Sequence, residues 1–226
     1  MDVYMFSGSG NAWRVLLALE IKGQTYNETP IQASQTVFKS PEFLALNPRG
    51  KVPVIRDGGY VLAESLAIMA YIERKYPEPP LFGRSAEETG LIWRAILDFD
   101  LYVSSGWVDR IIVPIFTGQT KDRADDIRQA VRDSHFELGK LEAAVGETGW
   151  VAGRNLSAAD IAVFPLLEAL LRAVGKNDAK ALGLDLMPFE PRYPALAAWW
   201  RKIKAMPAYD RTYPAYWRKL DEAAAA

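Results

Sequence analysis

At 226 residues, 50% of them apolar or aromatic, the chain is long enough to bury a substantial core, as one large domain or two modest ones. Its 27 Lys and Arg against 28 Asp and Glu leave no basic field to recruit nucleic acid or an anionic membrane surface. The absence of cysteine and the single histidine, His135, exclude disulfide frameworks, CxxC redox chemistry, structural zinc and nearly every histidine-based metal constellation, so no metal is expected. No run approaches the roughly 18 consecutive apolar residues of a membrane span, and MDVYMF lacks the basic region and apolar core of a signal peptide. The expected address is the cytoplasm, without a membrane partner. A Ser-His-Asp hydrolase would have to use His135, which stands in the charged helical stretch RQAVRDSHFELGKLEAAV. A histidine there reads as a surface or internally satisfied residue.

In chain order, Val3 to Phe6 reads as a short strand, FSGSGN as a turn, and Ala12 to Lys22 as an amphipathic helix ending at Gly23. Gln24 to Ile31 reads as an edge strand, because Pro30 cannot donate to an inner ladder. A short helix begins near Ser40-Pro41 and stops at Asn47-Pro48. KVPVIRDGGYVLAES then gives two strands around Asp57-Gly58-Gly59 and a helix from Glu64. The order is βαβαββα. Beyond the Pro-rich stretch from Pro77 to Pro80 only helical periodicity remains, which places a domain boundary there, with one domain at 1–80 and another at 86–226.

In the second domain a long helix covers about Glu87 to Phe116, bent near Gly106 or Pro114. Others follow at Asp122 to Val145, Ser157 to Ala173, Pro194 to Ala205 and Ala208 to Lys219. The terminal AAAA is too short for a stable helix of its own and is expected to fray. NLSAADIAV holds Ser157-x-x-Asp160, a capping box with Asp in place of Glu, flanked by Leu156 and Ile161 as a hydrophobic staple.

A βαβαββα domain with KVPVI, followed by an all-helical domain with NLSAADIAV, resembles the cytosolic glutathione transferase family over nearly the whole chain. The resemblance implies an α+β thioredoxin-like domain with a mixed four-stranded sheet, then an all-α domain. It implies a glutathione transferase, in which the thiol of bound glutathione attacks an apolar electrophile by addition, substitution, ether cleavage or dehalogenation. Val52-Pro53 is implied to be cis, presenting the Val52 main chain to the cysteinyl backbone of glutathione. Glu64 and Ser65 are implied to hold the γ-glutamyl end, the helix N-terminus taking the α-carboxylate and the acid the ammonium. Read without the family, Ser and Glu at a helix start are also ordinary capping residues.

The turn FSGSGN can hold a phosphate, a dinucleotide or a thiolate, since a helix start offers unpaired N–H groups and partial positive charge. GxGxxG fails because Trp13 follows Ala12 where the third glycine is needed, and no Gly-Lys-Ser/Thr is present for a P-loop. In theta- and zeta-like transferases the activating serine stands six residues before the valine of the first helix. Counting back from Val15 in SGNAWRV gives Ser9, with Ser7 and Asn11 as competitors. The chain departs from the zeta isomerases, which carry Ser-Ser-Cys-Ser where it has Ser9-Gly10-Asn11-Ala12. It has Phe38 in place of the theta-type histidine near the glycyl end, leaving Lys39 and Lys51 as candidates for the glycyl carboxylate.

By the same resemblance the electrophile pocket is lined from the long helix, with Tyr102, Ser105, Trp107 and Phe116 as candidates that can equally be core residues. A homodimer is implied, meeting near the helices that begin at Glu64 and Glu87. A noncatalytic relative serving as a glutathione-binding or protein-interaction module is the alternative. Retention of Ser9, Val52-Pro53 and Glu64-Ser65 together favours the enzyme.

Overall fold

The computed structural model describes residues 1–225. They form two units: Met1–Leu81 together with the chain from Met206 onward, and Phe82–Ala205.

The first unit begins with β1 (Asp2–Met5), α1 (Gly10–Ile21), β2 (Asn27–Pro30), and the short helices α2 (Gln35–Phe38) and α3 (Pro41–Leu46). It continues through β3 (Val54–Asp57), β4 (Tyr60–Ala63) and α4 (Ser65–Lys75). The sheet order is β2-β1-β3-β4, with β1 parallel to β2 and antiparallel to β3, and β3 antiparallel to β4. This is the expected thioredoxin-like arrangement. A parallel pair needs a crossover, and α1 supplies it between β1 and β2. The strand expected over Gln24 to Ile31 narrows to four edge residues, a position that tolerates Pro30.

Val15, Leu16 and Leu19 of α1 are buried, as are Ile68, Met69 and Ile72 of α4, and the two helices pack together. Burying each such side chain contributes about 1.5–3 kcal/mol relative to exposure. α2 was not foreseen, because four residues give too little sequence for a period to register.

α12 (Pro207–Thr212) and α13 (Ala215–Ala225) complete this unit. The single helix expected over Ala208 to Lys219 is therefore two. Tyr213, standing before Pro214, takes φ −56° and ψ 127°, since the proline ring disfavours helical backbone in the residue ahead of it. Of the alanine tail, Ala223 to Ala225 extend α13, while Ala226 lies outside the described residues. The sequence reading put the whole of 86–226 in the second domain, whereas the chain from Met206 packs with the first unit. Trp13 explains the attachment: its ring meets Tyr209, Tyr213 and Trp217 at 5.8, 5.9 and 5.7 Å, and its Nε1 donates to Thr212 Oγ1 at 2.8 Å.

The second unit is all helical. α5 (Ala86–Phe99), a π-helical segment (Asp100–Ser104), α6 (Ser105–Trp107), a second π-helical segment (Val108–Ile112) and α7 (Val113–Phe116) together make the long helix. Its irregularities flank Gly106 and end just before Pro114. α8 (Ala124–Thr148), α9 (Ala158–Val174), α10 (Asn177–Lys180) and α11 (Pro194–Lys204) follow, α10 being again too short to foresee. α9 is buried on nearly every face, as its apolar sequence requires, and packs on α5.

The capping box at the start of α9 is present, and Asp160 extends it. Its fully buried carboxylate accepts from Val151 N, Ser157 N, Ser157 Oγ and Trp199 Nε1 at 2.9, 2.8, 3.0 and 2.8 Å. Burial pushes this carboxyl above the usual carboxylate range, against the pull of the four hydrogen bonds. His135 is internally satisfied: Nδ1 lies 2.6 Å from Tyr193 Oη and Nε2 lies 2.9 Å from Asp185 Oδ1. Among the described residues no helix is long and apolar enough to cross a membrane.

Candidate active site

In the first unit two helix starts are tied together by one buried side chain. α1 begins after β1 through the turn Phe6 to Ser9, closed by Ser9 N donating to Phe6 O at 3.1 Å. Gly8 holds φ +95° in this turn, a conformation that favours glycine. Ser9 is the N-cap: its Oγ accepts from Ala12 N at 3.3 Å. A hydroxyl that accepts through a lone pair keeps its O–H free to donate, so capping and donation to a ligand are compatible. Ser7 Oγ accepts from Tyr216 N at 2.9 Å. Asn11, half-buried in the first turn of α1, has an Oδ1 that is buried without a hydrogen-bond partner.

α4 starts at Ser65, and Glu64 ahead of it is the one non-glycine with positive φ, +70°, among the described residues. Backbone held in such a region costs on the order of 1–3 kcal/mol and persists where the surroundings enforce it. Glu64 makes no capping hydrogen bond, and its carboxylate is exposed, with only a 3.7 Å contact from the equally exposed Arg49. It is open to a ligand cation. Ser65 is buried, and its Oγ accepts from Arg14 Nη1 at 3.3 Å.

Arg14 is 1% exposed, one turn into α1. It joins the start of α4 to the helix that Ser9 caps. The sequence reading passed over it; the available signal was a lone cation inside the apolar run AWRVLLAL.

The third component is the loop from α3 to β3. Val52-Pro53 is cis, with Val52 half-buried and Pro53 buried. Asn47, 4% exposed, shapes the approach: Nδ2 donates to Lys51 O at 2.7 Å and Oδ1 accepts from Arg49 N at 3.0 Å. Sequence reading took Asn47 only as a helix stop, although an Asn that hydrogen-bonds the backbone two residues on is a recognised turn device. Gly50 is obligatory here, because it has φ +60° and a Cβ would lie 2.6 Å from Phe38 O. Phe38 packs on Phe6 and Phe43, with ring centroids 6.1 and 5.7 Å away. Lys39 and Lys51 are both exposed.

The four electrophile candidates divide. Tyr102, Ser105 and Phe116 are exposed, whereas Trp107 is 2% exposed and edge-on to Phe99 at 5.4 Å. A cavity of about 440 Å3 in the second unit is bordered by Leu171, Met187, Phe189 and Trp200 and touches none of the four.

Comparison with known proteins matches residues 1–74 to the glutathione S-transferase N-terminal domain and residues 137–201 to the glutathione S-transferase C-terminal domain. A maleylacetoacetate isomerase of Pseudomonas aeruginosa is 30% identical over 225 residues, covering 95% of this chain and 96% of that protein. The chain belongs to the cytosolic glutathione transferase superfamily. Glutathione S-transferase 1 of Dianthus caryophyllus is 42% identical over 95 residues, which span 42% of this chain and 43% of that protein. The crystal structure of a glutathione S-transferase from the Antarctic clam Laternula elliptica is 30% identical, with a TM-score of 0.77, over 96% of this chain and 93% of that one.

A zeta-class glutathione S-transferase of Euphorbia esula is among the relatives, 35% identical over 95 residues that span 42% of this chain and 42% of that protein. Membership makes the chain a glutathione-binding enzyme of the transferase type, with an isomerase-type variant of the activity open to it. Among the described residues no group of His, Asp and Glu is arranged to hold a metal ion.

Proposed function

We propose that this enzyme activates the thiol of bound glutathione for attack on an apolar electrophile, with Ser9 as the activating donor. The observation that carries the reading is the N-cap geometry of Ser9, whose Oγ accepts from Ala12 N and so leaves its O–H available to donate near the positive end of α1, in the same unit as Val52-Pro53 and Ser65. A serine hydroxyl is no base near neutral pH. It donates to the thiolate, and with the helix end it favours S⁻ over SH. A free cysteinyl thiol titrates near 8.5, and each unit of depression corresponds to about 1.4 kcal/mol.

Glutathione lies along 1–80 in this reading. Val52 pairs with its cysteinyl main chain past Pro53, Ser65 and the α4 N–H groups take the γ-glutamyl carboxylate, and Glu64 takes the ammonium. Lys39 or Lys51 meets the glycyl carboxylate. The helical unit, Phe82–Ala205, supplies the electrophile site in this reading, with Tyr102, Ser105, Trp107 and Phe116 as candidates. Ser9-Gly10-Asn11-Ala12 favours transfer over the isomerase reaction named for the Pseudomonas relative. Calorimetry tests the binding mode: Ser65→Ala weakens glutathione affinity by about 1.5–3 kcal/mol, the scale of a hydrogen bond to a charged group. Unchanged affinity removes Ser65 from the site.

The enzyme works as a homodimer in this reading, through surfaces near the starts of α4 and α5. Tyr60 and Val61 on β4 and Leu91, Leu97 and Leu101 along the long helix are exposed apolar residues suited to such an interface. Sedimentation at micromolar concentration should give twice the chain mass of 25.2 kDa. A species of single-chain mass refutes the dimer.

A further inference from the structure

Residues from the far end of the chain converge on the turn that carries Ser9. Tyr216 N donates to Ser7 Oγ at 2.9 Å. A Cβ on Gly8 would lie 3.1 Å from Trp217 Nε1, so the indole fills the space that any larger residue at Gly8 would need. Trp217 is 3% exposed and edge-on to Trp13, 5.7 Å between centroids. The same segment is fastened to α1 at two further points: Thr212 Oγ1 accepts from Trp13 Nε1 at 2.8 Å, and Arg211 Nε pairs with Glu20 Oε2 at 2.6 Å.

We infer that α12 and α13 form a strap that positions the Ser7-Gly8-Ser9 turn, with Trp217 as a positioning residue for the Ser9 hydroxyl. A turn with glycine on both sides of Ser9 is free to sample many conformations, and glycine loses more freedom on ordering than any other residue. A donor is effective at a developing charge when it is held in place beforehand and needs no reorganisation on reaction. The hydrogen bonds of Ser9 to Phe6 O and Ala12 N fix the turn from inside. The strap fixes it from outside, through Ser7 and Gly8. Part of what orients the hydroxyl therefore lies some two hundred residues away along the chain. The inference rests on Ser9 as the thiol donor.

The test compares Trp217→Ala, Trp217→Phe, Gly8→Ala and a chain ending at Pro214 with the wild type. It reads ultraviolet titration of the thiolate of bound glutathione, kcat and KM with an aryl chloride, and amide hydrogen exchange at residues 8–11. For Trp217→Ala we expect kcat to fall about fivefold to tenfold and the thiolate to titrate up to about one unit higher, a tenfold change in its ionisation constant. KM for glutathione should stay within about threefold, because Val52, Glu64 and Ser65 hold the peptide. Exchange quickens at residues 8–11 and not at the start of α4. Trp217→Phe restores most of each signal, and Gly8→Ala, which presses on the indole from the other side, reproduces the loss. Thermal destabilisation of Trp217→Ala with unaltered thiolate titration and kcat reduces the strap to packing and overturns the inference. A wild type that binds no glutathione overturns the functional reading instead. In that case unaltered exchange at residues 8–11 in Trp217→Ala still refutes the strap by itself.

Discussion

Asp160→Ala should lower the stability of the second unit by about 3–5 kcal/mol, the cost of breaking one partner out of a buried charged network. The carboxylate is fully buried and accepts four hydrogen bonds. Its removal strands the N–H groups of Val151 and Ser157 and the indole N–H of Trp199, at about 1–3 kcal/mol for each buried donor left unmade. Asp160→Asn recovers little. The amide keeps one acceptor oxygen and turns an NH2 towards donors, whichever way it is flipped. At about 2–4 °C per kcal/mol for a chain of this size, the alanine variant should melt roughly 10 °C lower. Urea denaturation followed by tryptophan fluorescence checks this, since Trp199 reports from the site itself. A loss below about 1 kcal/mol would show that solvent or a rearranged Ser157 replaces the carboxylate, and that Asp160 is a helix cap and no more.

This network also shows where the sequence was legible and where it was not. Ser157-x-x-Asp160 announces a helix start because a capping box is local: its partners lie within one turn, and spacing alone implies contact. The bonds to Val151 and Trp199 have no local signature, for the first depends on the path of the loop before α9 and the second on how α11 lies against α9. The same split runs through the first unit. Ser9, Val52-Pro53 and Ser65 could be singled out from the sequence because each sits at an element boundary marked by glycine, proline or a capping residue. Arg14 was missed because its meaning comes from Ser65, fifty-one positions on. The attachment of α12 and α13 was missed for a related reason. Helical periodicity says which face of a helix is apolar, and not which partner covers it. Nothing in the local sequence around Tyr213, Tyr216 and Trp217 says which unit covers them. Pro214 could have been read as a break, since the restriction it imposes on Tyr213 is wholly local.

Ser9→Ala should cut kcat/KM for a good electrophile by about tenfold to a hundredfold, equivalent to roughly 1.4–2.7 kcal/mol of lost transition-state stabilisation. Glutathione affinity should change little, because on the proposed binding mode Val52, Glu64 and Ser65 hold the peptide. The structure complicates this substitution in a useful way. Ser9 Oγ also caps α1 by accepting from Ala12 N, so alanine removes a cap as well as a donor and should cost about 0.5–2 kcal/mol of stability. The two roles separate in Ser9→Asp. Aspartate is as good an N-cap as serine, so the melting temperature should stay near that of the wild type. Its carboxylate cannot donate, and it sets a negative charge where the thiolate forms, so bound glutathione should titrate higher than in Ser9→Ala and react more slowly still. Ser9→Thr, which keeps both the cap and the O–H, should retain most of the rate. If Ser9→Asp keeps both the stability and the rate of the wild type, the hydroxyl is a cap alone. The donor is then sought at Asn11, whose amide is already half-buried beside the helix start, or at Ser7, whose oxygen is held by Tyr216 N. Asn11→Ala and Ser7→Ala decide between them by the same thiolate titration. On the proposed reading Ser9 is the stronger assignment because it caps α1, so that its hydrogen bond and the positive helix end can act on one sulfur together.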